Sequence, residues 1–197
     1  MMQAPVGGYG VIYADPPWKF QTRSVKGKGR SAEAHYDCMS ISDLANRPVH
    51  ECSARDSVLL VWVTDPMLAA GLALGSAWGF VYKTVGFYWA KTSADGAAWP
   101  IGAGYWTRAN PEQCLLFTCG HPKRINADVR KLIVSPRREH SHKPDEVYDR
   151  IERLCGGPYV ELFARNLRPG WASWGNQAEI GIAGRRWASN SFPDATA

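Results

Sequence analysis

Short hydrophobic runs alternate along the chain with segments that have the periodicity of a helix. The run at 9–14, YGVIYA, is apolar and is followed at once by Asp15-Pro16-Pro17, as expected for a buried strand that ends in a turn. The run at 57–63, SVLLVWV, is nearly continuous, which is typical of a parallel strand with both faces buried. Further strands are predicted at 80–91, 113–119, 131–134, 159–164 and in WASWG at 171–175.

Three segments have the features of helices. Ser40 is a suitable N-cap for the segment SISDLANR, and Pro66 fits the first turn of a helix at 66–77. The segment KPDEVYDRIERLC has Val147 and Ile151 at helical spacing and acidic residues in its first turn. Strands that alternate with helices predict an α/β fold, an open, mostly parallel twisted sheet with helices on both faces.

Ligands of such sheets bind beyond the carboxyl ends of the strands. Two strand ends have suitable polar residues, because Asp15 follows the first strand and Arg165-Asn166 follow the strand at 159–164. With 197 residues, 45% of them hydrophobic, the chain is long enough for one substantial core and too short for two ordinary ones. We therefore predict a single domain at 1–180 and a flexible polar tail at 181–197.

Basic residues are concentrated in a few segments of this chain, whose formal net charge is +5. The segment KFQTRSVKGKGR at 19–30 contains Lys26 and Lys28 and no acidic residue. Residues 19–39 also have little apolar periodicity, which is typical of a long loop. We predict that Lys26 and Lys28 contact the phosphates of a nucleic acid; the alternative is a solvated loop without a partner.

The remaining composition excludes several classes of protein. No stretch approaches the roughly 20 apolar residues of a membrane span, so we expect no membrane partner. Five irregularly spaced cysteines and a first segment, MMQAPVGGYG, without basic or apolar signal-peptide features predict a cytoplasmic protein with free thiols. Cys114, Cys119 and His121 are close in sequence, as are His140 and His142, but neither spacing matches a structural zinc site. We predict no metal.

The string Asp15-Pro16-Pro17-Trp18 after the first strand has a specific chemical interpretation. The exocyclic amine of adenine is a poor nucleophile because its lone pair is delocalised into the ring. The Asp15 carboxylate and the Pro16 carbonyl can accept hydrogen bonds from that amine, and the two prolines restrict the backbone so that these acceptors are preorganised. Trp18 offers a face on which an extruded base can stack. The alternative is a turn that ends a strand, with Trp18 as a core aromatic.

Several spaced motifs together resemble the MT-A family of adenine-N6 methyltransferases, which includes the catalytic subunit of the messenger-RNA adenosine methyltransferase and bacterial and phage DNA-modifying members. The resemblance runs from about 10 to 177. It depends on ADPPW at 14–18, LLVWVT at 59–64, the tyrosine of AHYDCMS, WAKT at 89–92, SHKPDEVYDRIERL at 141–154, ELFAR at 161–165 and WGNQ at 174–177.

The resemblance implies a Rossmann-like class I methyltransferase fold with permuted motif order, in which the catalytic loop precedes the donor-binding elements. S-adenosylmethionine is the implied donor, consumed in the reaction. Its binding residues would be Asp15, Lys143, Arg165, Asn166, Asn176 and Gln177. Tyr36, Trp106 and Glu112 would belong to substrate-side regions. Trp62 is expected in the core rather than at the substrate.

Two departures concern the donor site. Ala164 replaces a glycine common in the family, and the segment from Arg165 to Asn176 is short and lacks a His-Asn pair, which leaves Asn166 and Arg168 as substitutes for the ribose contact. The minimal chain resembles stand-alone members, which favours DNA over RNA and the cytoplasm of a bacterial or phage-infected cell. RNA methylation and a non-catalytic nucleic-acid-binding partner remain alternatives, and a homodimer or a complex with a partner subunit stays open.

Overall fold

A computed structural model describes residues 4–19, 38–102, 104–138 and 142–175. All of its strands belong to one seven-stranded sheet. The strands are β1 (Tyr9–Ala14), β2 (Ser53–Val63), β3 (Val81–Thr92), β4 (Glu112–Cys119), β5 (Leu132–Pro136), β6 (Tyr159–Leu162) and β7 (Trp171–Trp174). The helices are α1 (Ile41–Ala45), α2 (Val49–Cys52), α3 (Leu68–Ala77), which follows a 3₁₀ turn at Asp65–Met67, and α4 (Glu146–Leu154).

The strands lie in the order β5-β3-β4-β2-β1-β6-β7. Strand β4 is antiparallel to both of its neighbours, β2 and β3, whereas all other neighbouring pairs are parallel. The first strand therefore lies inside the sheet, between β2 and β6, with Ala14 paired to Val61 on one side and to Leu162 on the other. The prediction of a mostly parallel sheet is confirmed.

The sheet has a hydrophobic core on each face. Successive residues of a strand point to opposite faces, and accordingly Ile12 belongs to one core and Val11 to the other. Leu44 of α1, Val49 of α2 and Leu74 of α3 pack in the first core. The second core contains Val147 and Ile151 of α4. Helices thus cover both faces, as the alternating pattern predicts.

Helix α3 approaches the sheet closely because it has glycine where it contacts the strands. A Cβ atom at Gly71 would lie 2.4 Å from a side-chain carbon of Val63, and one at Gly75 would lie 2.3 Å from the ring of Phe117. Any larger residue at these two positions would push the helix away from β2 and β4.

The observed elements differ from the predicted ones mainly at their ends. Strand β1 and the N-cap at Ser40 are confirmed, with the Ser40 hydroxyl accepting the Asp43 N–H at 3.1 Å. Strand β2 begins at Ser53 rather than at 57, because its polar first residues extend the ladder beyond the hydrophobic run. Helix α2 was not predicted, and its four residues are too few to show a helical period.

Two observations concern the environment of the protein. In the part of the chain that the structure describes, no helix is both long enough and apolar enough to cross a membrane. None of the five cysteines forms a disulfide.

Candidate active site

A cleft of about 180 Å³ lies where β1 and β6 end side by side. Asp15 follows β1, and Arg165 follows β6 after a short turn in which Phe163 has a φ of 63°. The third contributor is the segment between β5 and α4, which supplies Lys143. The main lining side chains are Asp15, His142, Lys143, Tyr148, Glu161, Phe163, Arg165 and Asn166. The position matches the ligand site expected for an open α/β sheet.

A buried network of opposite charges connects residues at or just beyond the ends of β1, β3, β4 and β6. The Lys143 ammonium donates to Asp15 Oδ2 at 2.8 Å and lies 3.3 Å from Glu112 Oε2. Glu112 also pairs with Lys91 through its other oxygen, and Arg165 Nη2 lies 4.0 Å from Asp15 Oδ2. The Lys143 side chain is only 9% exposed, so these pairs are poorly screened by water.

The partners in this network stabilise each other's charged forms. Burial alone would lower the pKa of Lys143, but the carboxylates of Asp15 and Glu112 outweigh burial and raise it. Burial alone would raise the pKa of Glu112, but the ammonium groups of Lys143 and Lys91 outweigh burial and lower it. Lys143 is therefore a cation and Glu112 an anion at neutral pH.

Glu161, inside β6, has a different environment. Its side chain is buried, and its Oε2 accepts a hydrogen bond from the Tyr148 hydroxyl at 2.9 Å. Burial raises the pKa of Glu161 to about 7, assisted by the negative charge of Asp15 and opposed by the Tyr148 hydrogen bond, Arg165 and Lys143. The cleft thus contains one carboxyl group that titrates near neutral pH.

The Asp15–Trp18 loop has backbone hydrogen bonds that the sequence did not predict. The two prolines have no N–H groups of their own, but the Trp18 N–H donates to the Pro16 carbonyl at 2.8 Å. One lone pair of that carbonyl remains for a substrate. The Pro17 carbonyl accepts the Met39 N–H at 2.9 Å, which ties the loop to the segment before α1.

Trp18 is buried rather than displayed. Its side chain belongs to the first core, the residue is 8% exposed, and its indole N–H donates to the Trp62 carbonyl at 3.1 Å. This placement agrees with the alternative in which Trp18 is a core aromatic, and it leaves little of the ring face accessible for stacking. Trp62 is 1% exposed, so its assignment to the core is confirmed.

The loop between β3 and β4 lies at the same edge of the sheet. Asn110 holds its base, since the side chain bonds both backbone groups of Lys91 and the Pro100 carbonyl. Trp106 is 93% exposed and has a φ of 68°. Glu112, which we grouped with Trp106 on the substrate side, belongs to the buried network around Lys143, and its role at the substrate stays a prediction.

The residues proposed for the donor ribose have protein partners. Asn166 Nδ2 lies 3.3 Å from His142 Nδ1. Arg168 pairs with Asp149 at 2.7 Å and Glu152 at 3.1 Å on α4. Because Arg168 is held by two carboxylates, Asn166 is the better candidate for the ribose contact. Ala164 fits in place of glycine: it is buried, and its N–H donates to the Trp174 carbonyl at 3.0 Å.

Some predicted site residues cannot be placed. Lys26, Lys28, Tyr36, Asn176 and Gln177 lie outside the described residues, so their roles stay predictions. Within the ranges that the structure describes, no three His, Cys, Asp or Glu side chains are grouped so as to hold a metal ion.

Three members of the site were missed by the sequence reasoning: Lys91, Tyr148 and Glu161. Lys91 and Glu161 both occur in motifs that were recognised as strings, WAKT and ELFAR. Lys91 ends the predicted strand at 80–91, and Glu161 is the one charged residue inside the predicted strand at 159–164; these positions were the available signals. Tyr148 precedes Ile151 by three residues on α4. Its only indication in the sequence was that this spacing places it on the helix face that packs against the sheet.

The chain is similar to known proteins along most of its length. A family model described as MT-A70 matches residues 9–177. The type II methyltransferase M.MunI of Mycoplasma sp is 33% identical over 205 residues, which cover 92% of this chain and 85% of that protein. The N(6)-adenosine-methyltransferase catalytic subunit METTL3 of Homo sapiens is 32% identical over 181 residues, which cover 88% of this chain and 29% of METTL3. An Arabidopsis thaliana MT-A70-like N(6)-adenosine-methyltransferase is 33% identical, with 24% of its length covered.

Proposed function

Because this chain belongs to the MT-A70 family and is an adenine-N6 methyltransferase, we propose that it methylates adenine in DNA with S-adenosylmethionine as the donor. The observation that supports this best is the Asp15–Lys143 pair at the joint end of β1 and β6. It brings the predicted acceptor of the adenine amine next to a cation suited to the donor's carboxylate. The residues for the adenine amine and the residues for the methyl donor would then line the same cleft.

The charges of the cleft suit the donor. Lys143 is a cation that would bind its methionine carboxylate, and the Asp15 carboxylate would favour its positive sulfonium. Arg165, which lies 4.0 Å from Asp15, would help to hold its ribose and adenine. Asn166 and Glu161 offer polar groups for the ribose hydroxyls. Asn176 and Gln177 would complete the site. The donor supplies an electrophilic methyl group, and the protein residues orient it.

The chain's own part in catalysis is preorganised hydrogen bonding. The Asp15 carboxylate and the remaining lone pair of the Pro16 carbonyl accept the two N–H groups of the adenine amine, which favours a localised lone pair on N6. Asp15 keeps its position through the 2.8 Å contact with Lys143. Transfer is direct, without a covalent enzyme intermediate, so the rate depends on orientation and electrostatics.

The base must reach this cleft from a nucleic acid. We infer that adenine is extruded from the strand and received at the Asp15–Trp18 loop. Given the burial of Trp18, stacking would use Pro17, which is half-buried, and a side chain of the substrate loops such as Tyr36. Lys26 and Lys28 would bind the phosphates beside the target.

DNA is favoured by the resemblance to bacterial and phage DNA-modifying members and by the similarity to a type II methyltransferase over most of its length. RNA is the second candidate, because METTL3, an N(6)-adenosine-methyltransferase, is nearly as similar in the aligned region. Methylation assays on DNA and RNA oligonucleotides of matched sequence would separate the two. Faster turnover of the RNA would overturn the preference for DNA.

Two further parts of the proposal concern context. We propose that the enzyme acts in the cytoplasm, which suits a chain whose five cysteines form no disulfide. We also propose that the enzyme acts either as a homodimer or together with a partner subunit. Mass measurement in solution, with and without DNA, would decide between a monomer and these assemblies.

One cellular experiment tests the reaction. Mass spectrometry of nucleosides from genomic DNA and total RNA would compare cells that express the wild type with cells that express Asp15→Ala. We expect N6-methyladenine in the DNA of the wild-type cells only. Asp15→Asn, which keeps the size of the side chain, is the conservative control. Equal methylation by wild type and both variants would refute the role of Asp15.

A further inference from the structure

Trp62 is a core residue that contacts Lys143 of the candidate active site, Trp18 at the end of the Asp15–Trp18 loop, and Tyr13 in β1. It lies in β2, is 1% exposed, and its Cα is paired with that of Cys114 in β4. Three separate groups of this one residue have partners: the ring face, the indole N–H and the backbone carbonyl.

The ring face lies beneath the Lys143 ammonium. The distance from Lys143 Nζ to the centroid of the Trp62 ring is 5.5 Å, within the range in which a cation is attracted to the negative face of an indole. Asp15 and Glu112 bind the same ammonium at 2.8 and 3.3 Å. The ring is therefore an additional attractive contact for a cation that two carboxylates already hold.

The carbonyl and the indole N–H fix two further groups. The Trp62 carbonyl accepts the indole N–H of Trp18 at 3.1 Å, which anchors the last residue of the Asp15–Trp18 loop. The Trp62 indole N–H donates to the Tyr13 hydroxyl at 2.7 Å. Tyr13 is fully buried in β1, two residues before Asp15. The bond to Tyr13 restricts the rotation of the Trp62 indole beneath Lys143, and the bond to the backbone carbonyl holds Trp18 beside the same residue.

We propose that Trp62 is a positioning residue for methyl transfer: it holds the Lys143 ammonium and the Asp15–Trp18 loop in one fixed relationship from inside the core. Since Trp62 does not touch the substrate, its effect passes through Lys143 and Trp18. The inference rests on the proposed roles of Asp15 and Lys143 in donor and amine binding.

The competing explanation is that Trp62 only fills the core. Trp78 provides the matched control, because it is also fully buried and also donates its indole N–H to a single acceptor, the Leu44 carbonyl, at 2.9 Å. Its acceptor belongs to α1, and none of its described contacts is with Asp15, Lys143 or Glu112. A purely structural role would make substitutions of the two tryptophans equivalent.

The experiment compares Trp62→Phe and Trp62→Leu with Trp78→Phe and Trp78→Leu. Urea unfolding measures stability, calorimetry measures donor dissociation, and kcat is measured with saturating donor and DNA. We expect both series to lose stability. Trp62→Phe should raise the donor Kd and lower kcat by about tenfold, and Trp62→Leu, which has no ring face, should lose more. The Trp78 variants should stay within about twofold of wild type in both constants while they are folded.

The outcomes separate this inference from the proposed function. If Trp62→Phe and Trp62→Leu keep the wild-type Kd and kcat while Asp15→Asn is inactive, the positioning role alone is overturned. Losses of the same size in the Trp78 variants would also overturn it. Full activity of Asp15→Asn and Lys143→Met would instead refute the assigned active site. If Trp62→Leu fails to fold, Tyr13→Phe removes only the hydroxyl that orients the indole, and it should still lower kcat by about threefold; no change would overturn the proposal.

Discussion

The Lys143 ammonium donates to the Asp15 carboxylate at 2.8 Å, although 128 residues separate the two in sequence. The contact forms because Asp15 ends β1 in the middle of the sheet, while the segment before α4 crosses the same edge. Both side chains are largely buried. Each is the other's nearest opposite charge, since Glu112 lies 3.3 Å from Lys143 and Arg165 lies 4.0 Å from Asp15.

The first prediction concerns Lys143→Met. This variant should lose about 3 kcal/mol of stability, because it leaves a buried carboxylate without its closest cation. Donor binding, measured by calorimetry, should also weaken by more than about tenfold. Lys123→Met is the control, since Lys123 is exposed beside Gly156 at the other end of β1. Wild-type stability of Lys143→Met in urea unfolding would contradict the prediction.

The second prediction concerns Glu161→Gln and the pH dependence of stability. Burial raises the pKa of Glu161 to about 7 from a reference of 4.5, so the folded state prefers the protonated acid. The contribution of this protonated acid to the stability of the fold is fully present below pH 4.5 and is lost as the pH rises through 7. Glutamine imitates the protonated acid and keeps an acceptor for Tyr148.

Glu161→Gln should therefore be more stable than wild type at pH 8, by on the order of 2 kcal/mol. The difference should shrink as the pH falls toward 4.5. Urea unfolding of both proteins at several pH values measures it. A difference that does not change with pH would mean that Glu161 does not titrate in this window.

The third prediction tests the basic loop with Lys26→Ala and Lys28→Ala combined. If both side chains bind phosphate, the slope of log K against log salt for DNA should become shallower by about 2, roughly 0.9 for each lost contact. The control combines Lys83→Ala with Lys123→Ala, which removes the same charge from exposed positions. An equal change of slope in both double variants would indicate an effect of net charge only.

The fourth prediction concerns Trp106→Ala. Trp106 is 93% exposed, so the substitution should change the free energy of unfolding by less than about 0.5 kcal/mol. If the ring contacts the substrate, KM for the oligonucleotide should rise several-fold with little change in donor affinity. Ile125→Ala, another exposed apolar side chain that lies near Gly156, should change neither. Unchanged KM for Trp106→Ala would exclude the ring from the interface.

The sequence was most informative where one local pattern determines the structure. The bounds of β1, the Ser40 cap and the buried face of α4 follow from hydrophobic period and capping chemistry. The direction of β4 could not be predicted, because a run of apolar residues in a buried strand has no polarity that distinguishes the two directions.

Part of the site was predictable because several of its residues lie in short local motifs. Asp15, Lys143 and Arg165 were identified from motifs, and the structure brings them together. The role of Glu112 in the buried network depends on β4 running against its neighbours, and the bond from Trp18 to the Pro16 carbonyl depends on a turn three residues long. The direction of β4 is a relation between elements and the turn at 16–18 is a backbone conformation, and the pattern of hydrophobic and polar residues encodes neither.

The reversed direction of β4 also determines how this fold can diversify. Because β3 ends and β4 begins at the catalytic edge, the whole loop at 93–111 leaves from and returns to that edge. Its two ends are joined by Asn110 and by the pair of Lys91 and Glu112. The length and side chains of the loop can therefore vary while Asn110 and the Lys91–Glu112 pair keep its two ends in place.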